Sequence, residues 1–408
     1  MQVYIGIDWS EKKHDVAFMN GEGGVIAQMV IEHGPAGFQK LDERCRQMGL
    51  CSQEVVVGLA TAQNLLIDFL WCHDYSQVYV IPPSVVKSSQ GRYGSSGSMN
   101  DPKAAQLIAD ILRTDRQRLR PWHPDSLITR QMRAKVSLII YLTKDATRLS
   151  NRLRAVLLRY YPLALEVFRG GLESQITLAF IQAYPNTELA QQLGLAEFTA
   201  FVRQYHYTRK GIAGCYARLQ TEQATPTPQT QQVFQDEAVL LARLLYELRQ
   251  HETKERRALY RLFEMHPDFA IFKSLPGTGP FLAPALCAKF GDDRQRFPDA
   301  NSVQALAGTC PATKSSGKGR RVYFRRACDR EWRYLCQLWA RALLMKDESP
   351  LAVAYFDKVH RRNPSANHAY RCLANRWLSV AWKLWHSRTE YSSSDHFAQV
   401  QARSKPRN

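Results

Sequence analysis

The chain has 408 residues, 45% hydrophobic and 11% aromatic, which allows two or three domains that each bury a core. A net charge of +18 and a pI near 9.6 call for an anionic partner, and nucleic acid is the default because phosphate contacts release counterions. A membrane is the poorer partner, since no run approaches the roughly 18 apolar residues of a spanning helix and no lipidation motif occurs.

The opening Met1 to Asp8 lacks a basic segment followed by a cleavable apolar stretch, so a cytoplasmic chain is expected rather than a secreted one. The nine cysteines are scattered singly without a CxxC pair, which argues for reduced thiols over disulfides or zinc.

Val3 to Ile7 reads as a strand ending in Asp8. Asp15 to Met19 and Val25 to Ile31 read as the next two strands, joined by a turn at Asn20–Gly24. A helix is predicted over Pro35 to Met48, a strand over Glu54 to Gly58, a helix over Ala62 to Cys72 and a strand over Gln77 to Ile81. Three meandering strands followed by alternating helix and strand suggest a mixed sheet of the RNase H type. Asp8 is then either a turn residue or an acidic group pointing into a site. Asp101-Pro102 starts a helix as N-cap and N1 residues, and capping alone accounts for this aspartate unless it converges with Asp8 on a metal.

Leu127 to Tyr161 has apolar residues at helical spacing with Arg148 and Arg152 among its outer cations, as in one arm of a helical hairpin. Residues 171 to 222 look helical without a chemical signal. Gln223 to Gln231 reads as a polar loop, and Ala238 to Phe263 as the returning arm. Pro276-Gly277-Thr278-Gly279 resembles a helix-hairpin-helix turn whose amides could hold a DNA phosphate; a plain interhelical turn is the alternative.

From residue 300 on there are 20 Lys and Arg against 7 Asp and Glu, so most of the basic excess sits here. It surrounds Ser315-Ser316-Gly317, a turn flanked by Lys314, Lys318, Arg320, Arg321, Arg325, Arg326 and, further on, Arg333. A hydroxyl among cations can grip a phosphate or attack it. A last helix is expected over Asn367 to His386, with a frayed polar tail after Ser387.

Together these segments resemble the DEDD transposases of insertion sequences, the group that includes the pilin-gene invertase and the bridge-RNA-guided recombinases. The likeness rests on Gly6-Ile7-Asp8 with Lys13 and Asp15-Val16-Ala17, on Ile81-Pro82-Pro83, on Asn100-Asp101 with Ala105, and on Arg148, Asn151 and Arg152. It continues in Leu275 to Gly279, in Ala305 to Gly308 with Pro311, and in Ser316-Gly317.

The resemblance implies an RNase H-like (RuvC-like) mixed-sheet domain over residues 1–122 and a helical coiled-coil hairpin and linker region over 123–270. A helical C-terminal domain over 271–408 would carry a nucleophilic serine, which maps to Ser316. That serine would attack a DNA phosphodiester while Asp8 and Asp101 hold Mg²⁺. Implied partners are DNA, a non-coding guide RNA, and a second copy in a dimer that assembles to tetramers on DNA. Two of the family's four acidic positions are replaced here, by Leu59 and Ala104. The alternative is therefore a decayed or repurposed relative that binds nucleic acid without cutting it. A structure-selective nuclease built on the first domain alone is a third reading.

Overall fold

The computed structural model describes residues 2–61, 65–93, 101–206, 209–222, 226–316, 319–345 and 349–404. They form two compact units, residues 1–124 and 125–408.

In the first unit β1 (Tyr4–Trp9), β2 (Lys13–Met19) and β3 (Val25–Glu32) form an antiparallel meander. Asn20 closes the second turn, its side-chain oxygen accepting from the amides of Glu22 (3.1 Å) and Gly24 (2.7 Å). Then follow α1 (Pro35–Gln47), β4 (Val56–Leu59), α2 (Leu65–Cys72), β5 (Gln77–Val80), α3 (Pro83–Ser89) and α4 (Asp101–Asp115). The sheet order is β3-β2-β1-β4-β5, with β4 parallel to β1 and β5 parallel to β4. This is the mixed sheet expected from the order of elements. β4 begins two residues later than predicted, leaving Glu54 in the preceding turn.

One face of the sheet packs Ile5, Ile7, Phe18, Val57 and Leu59 against Phe38 and Leu41 of α1 and Leu66 and Leu70 of α2. The other packs Tyr4, Met19, Val56 and Tyr79 against Leu107, Ile108 and Leu112 of α4. Two glycines let α4 lie directly on the strands. A methyl group on Gly6 would come within 2.0 Å of the Ala105 carbonyl oxygen, and one on Gly58 within 2.6 Å of a Leu112 methyl.

The second unit is built on α5 (Leu127–Tyr160) and α10 (Pro228–Glu264). Lys135 pairs with Glu255 (2.5 Å), Thr143 donates to Glu252 (2.9 Å) and Arg152 pairs with Glu237 (2.7 Å), so the two helices run antiparallel. Pro228 is helical, at the start of α10 behind a Thr227 cap, rather than part of the expected loop, because proline is favoured in a first turn. Between them α6 (Gln175–Ala183), α7 (Thr187–Gln191), α8 (Leu195–Arg203) and α9 (Arg209–Leu219) enclose a core at one end of the pair.

A separate core at the other end joins Met132, Ile139, Leu259 and Phe263 to α11 (Phe269–Ser274), α12 (Gly279–Phe290) and α13 (Ala300–Leu306). It continues through α14 (Arg330–Met345), α15 (Pro350–Arg362) and α16 (Ala366–Ser387). The tail expected to fray instead forms α17 (Ser393–Ser404), docked where Tyr391 and His396 pack on Trp377 and the Tyr391 amide donates to Ser274 (2.8 Å).

The basic stretch after α13 also differs from the expected turn in a helical domain. Ala312–Ser316 (β6) and Gly319–Tyr323 (β7) pair as an antiparallel hairpin. Thr313, Val322 and Tyr323 are strand formers, a signal outweighed in the sequence by the serines and glycines.

Candidate active-site elements

Asp8 is the last residue but one of β1 and lies two residues beyond Gly6, so its side chain leaves the sheet on the α4 face. Arg113, near the far end of α4, lies beside Gly23 in the β2–β3 turn, 3.3 Å from where a Cβ there would stand. α4 therefore runs antiparallel to β1, and its first residue, Asp101, belongs to the end that carries Asp8. Folding brings the two predicted aspartates to the same side of the sheet at the same end.

A third carboxylate shares this face. Asp15 stands directly opposite Asp8 in the β1–β2 register and is buried. Opposed residues of such a pair have Cβ atoms roughly 5 Å apart. From the sequence Asp15 is the start of a strand and part of the motif that carries the family resemblance, not a site residue; the signal for its position is the tight turn that sets Asp8 across from it.

Leu59 is different. It lies beside Ile7 and packs in the core of the opposite layer, fully buried among apolar side chains. A carboxylate at residue 59 would be immersed in hydrocarbon and turned away from Asp8. Among the described residues no three His, Cys, Asp or Glu side chains converge closely enough to hold a metal ion. Asp8 and Asp15 are the described carboxylates that face each other at this end of the sheet.

Two histidines close by belong to the layer away from α4. His14 lies 2.9 Å from His33, nitrogen to nitrogen, and is stacked on Trp9. Burial, and secondarily the neighbouring His33, push the His14 pKa down to about 4, so it stays neutral and serves packing.

In the second unit Ser316 is exposed at the end of β6, opposite Gly319. Gly317 and Lys318 lie outside the described residues. The arm is held at its base. Arg325 donates to the Pro311 carbonyl (3.3 Å), and Arg333 donates to the Arg325 carbonyl (2.5 Å). Phe324 is flanked by the guanidinium groups of Arg333 (4.6 Å) and Arg371 (5.0 Å). Gly308, at φ +67°, makes room for this clamp, since a Cβ there would come 2.7 Å from Arg333. Arg325 and Arg333 are thus occupied by the clamp, whereas Arg320, Arg321 and Arg326 are exposed.

The remaining predicted residues are spread out. Gly277 packs against the backbone of α14 at Leu343, while Gly279 is open. That turn is buttressed by the Trp339 indole donating to the Pro276 carbonyl (2.9 Å). Leu343 is ten residues along α14 from Arg333, which puts the turn about 15 Å from the base of the serine hairpin. Arg148 pairs with Asp145 (3.0 Å) and Arg152 with Glu237, both well exposed on α5. Ser137 of α5 donates to Glu331 at the start of α14 (2.8 Å), and the two arginines lie about 16 and 22 Å farther along the helix.

A family model described as "Transposase" matches residues 5–162, and a second, described as "Transposase IS116/IS110/IS902 family", matches residues 270–356. The mini-circle putative transposase for IS117 of Streptomyces coelicolor is 29% identical over 409 residues, covering 98% of this chain and 97% of its own length. The insertion element IS900 42 kDa protein of Mycobacterium paratuberculosis is 27% identical over 400 residues, covering 95% and 97%. The chain belongs to the IS110 family of transposases.

In this transposase the first match spans β1 through α5 and contains Asp8, Asp15 and Asp101. The second spans α11 to the middle of α15 and contains the hairpin and its clamp. The helices α6–α9 lie between the two matched segments.

A buried cluster in the transposase resembles a nucleophile triad and does other work. Cys287 Sγ lies 3.3 Å from His266 Nδ1, and His266 Nε2 lies 3.1 Å from Asp292. Nδ1 accepts the Asp268 amide (3.0 Å), so Nε2 carries the proton and donates to Asp292. Burial pushes the Cys287 thiol well up, which leaves it protonated and inert. Burial alone would raise Asp292 too, but hydrogen bonds from His266, Thr129 and Ser126 outweigh it and hold the carboxyl well below the usual range. The cluster ties the start of α5 to the end of α12.

Proposed function

We propose that this transposase cuts and rejoins DNA at insertion-sequence ends and target through a covalent phosphoserine at Ser316, with Mg²⁺ held by Asp8 and Asp101 of an RNase H-like first unit. Support comes above all from where the matched segments carry their chemistry. One has Asp8, Asp15 and the start of α4 at one end of one sheet face; the other has an exposed serine at the end of a clamped basic arm.

In the chemical step the Ser316 oxygen bonds to phosphorus and gives up its proton. One bridging P–O bond breaks, and the leaving sugar oxygen keeps the electron pair and takes up a proton. The phosphoserine conserves the phosphodiester bond energy for rejoining. Magnesium bound by the two aspartates would polarise the phosphate and stabilise the leaving oxygen. Asp15 strengthens the negative field at the Asp8 end of the sheet. Arg148, Arg152, Arg320 and Arg326, with Lys318, add sequence-independent phosphate contacts. The helical region 123–270 lies between the two reacting domains in sequence, and a homodimer forming tetramers on DNA, with a guide RNA, completes the reading.

One observation favours a second reading, nucleic-acid binding without cleavage: Leu59 is committed to the apolar core and Ala104 carries no ligand. The deciding experiment incubates the full chain and Ser316→Ala with Mg²⁺, labelled DNA spanning the joined ends of its element, and the transcript of the flanking non-coding segment. A covalent protein–DNA adduct from wild type and none from the variant is expected. Cleavage that survives Ser316→Ala sinks the nucleophile, and tight binding with no adduct selects the second reading.

A further inference from the structure

Strand register divides the cations around Ser316 into two sets. Opposed residues of an antiparallel pair project to the same face, as do residues two apart along a strand. Lys314, Ser316, Gly319, Arg321 and Tyr323 therefore share one face of the β6–β7 hairpin, and Thr313, Ser315, Arg320 and Val322 share the other. In the sequence Arg320 and Arg321 are interchangeable neighbours of the serines. In the hairpin only Arg321 is on the side of Ser316.

On that face Lys314 is directly opposite Arg321. Like charges placed so are mutually destabilising, and an exposed two-stranded hairpin has little stability to spare. An anion bound between the two cations reverses the sign of that interaction. The ring of Tyr323, 6.0 Å from the Lys314 ammonium, helps keep it on this face. Gly319, opposite Ser316, has no side chain, so a DNA backbone can approach the hydroxyl from the strand across.

We infer that Lys314 and Arg321 together hold the phosphodiester that Ser316 attacks, and that Arg320 takes no part in the attack. This rests on Ser316 being the nucleophile. Lys314 and Arg321 neutralise the non-bridging oxygens, on which charge grows as the serine oxygen adds to phosphorus. Arg320, on the far face, serves affinity for neighbouring phosphates.

The test uses the full chain in the adduct assay above, reading the rate constant at saturating DNA separately from the DNA concentration for half-maximal rate. Arg321→Ala is expected to lower the rate constant about 100-fold and Lys314→Ala about tenfold, with Arg321→Lys recovering part of the loss. Arg320→Ala is expected to change the rate constant less than about threefold and to raise the half-saturating concentration. Thermal melts of all four should match wild type, since these side chains are exposed. If Arg320→Ala slows the saturated rate as much as Arg321→Ala while Ser316→Ala still abolishes the adduct, the assignment of cations to faces is wrong and the nucleophile stands. If wild type forms no Ser316-dependent adduct, the nucleophile is wrong and this inference falls with it.

Discussion

The two halves of the proposed chemistry are built in opposite ways. The carboxylate half lies on a sheet whose strands β1, β2 and β4 are largely buried on both faces, with α4 pressed against it at Gly6 and Gly58. The serine half is an exposed arm of two short strands, held at its base by Arg325, Arg333 and Phe324. A buried framework fixes direction and tolerates few changes of residue type, because each side chain answers to a packed layer. An exposed arm tolerates many, and its side chains are free to meet a partner. Leu59 belongs to the buried layer, whereas Ser316, Arg320 and Arg321 of the arm are exposed.

That contrast can be broken by substitution. After Ser316→Ala, which should remove the adduct altogether, the largest effect is expected from Asp8→Asn. It should slow adduct formation about a thousandfold, on the order of 4 kcal/mol, with unchanged melting. A rate within a few-fold of wild type would mean the sheet half plays no part in the chemistry.

Leu59→Glu, which places a carboxylate where the family resemblance implies one, should fail to raise activity and should cost about 4 kcal/mol in denaturant titrations, because it buries an unpaired carboxylate. A more active and equally stable variant would show that residue 59 can turn toward Asp8. Gly308→Ala probes the arm's anchor. Displacing Arg333 should cost about 2 kcal/mol and slow the adduct step, although residue 308 touches no substrate. Unchanged kinetics would show that the arm does not depend on its clamp.

The smallest effect is one of pH. The folded Asp292 pKa is depressed, so its stabilising hydrogen bonds are fully present above the ordinary aspartate value near 4 and are lost as pH falls below it. Melting temperatures measured from pH 6 down should drop less steeply for Asp292→Asn than for wild type. Parallel curves would remove Asp292 from the acid response.

Much of this was legible from residue order, and the misses have physical causes. Short apolar runs bounded by turn residues located the first five strands to within two residues, since strands buried on both faces read as continuous apolar segments. The serine hairpin was missed because Ser-Ser-Gly-Lys-Gly weighs toward a turn, while the pairing that makes it a hairpin depends on residues across the tip. α17 was missed because its docking depends on Trp377 and Ser274, one of them 117 residues from Tyr391.

Composition and motifs by themselves determined a basic chain suited to nucleic acid, a mixed sheet with Asp8 near the end of its first strand, and a helix starting at Asp101, whereas the choice of Ser316 over Ser315 came from the family resemblance. Charge, strand period and capping are local properties and survive reading in one dimension. Tertiary structure alone decided that Asp15 faces Asp8, that Leu59 faces away from it, that Arg333 is spent on a clamp, and that Arg321 rather than Arg320 shares a face with Ser316. Each of these depends on strand register or on contacts between distant segments, where a shift of one residue carries a side chain to the other face.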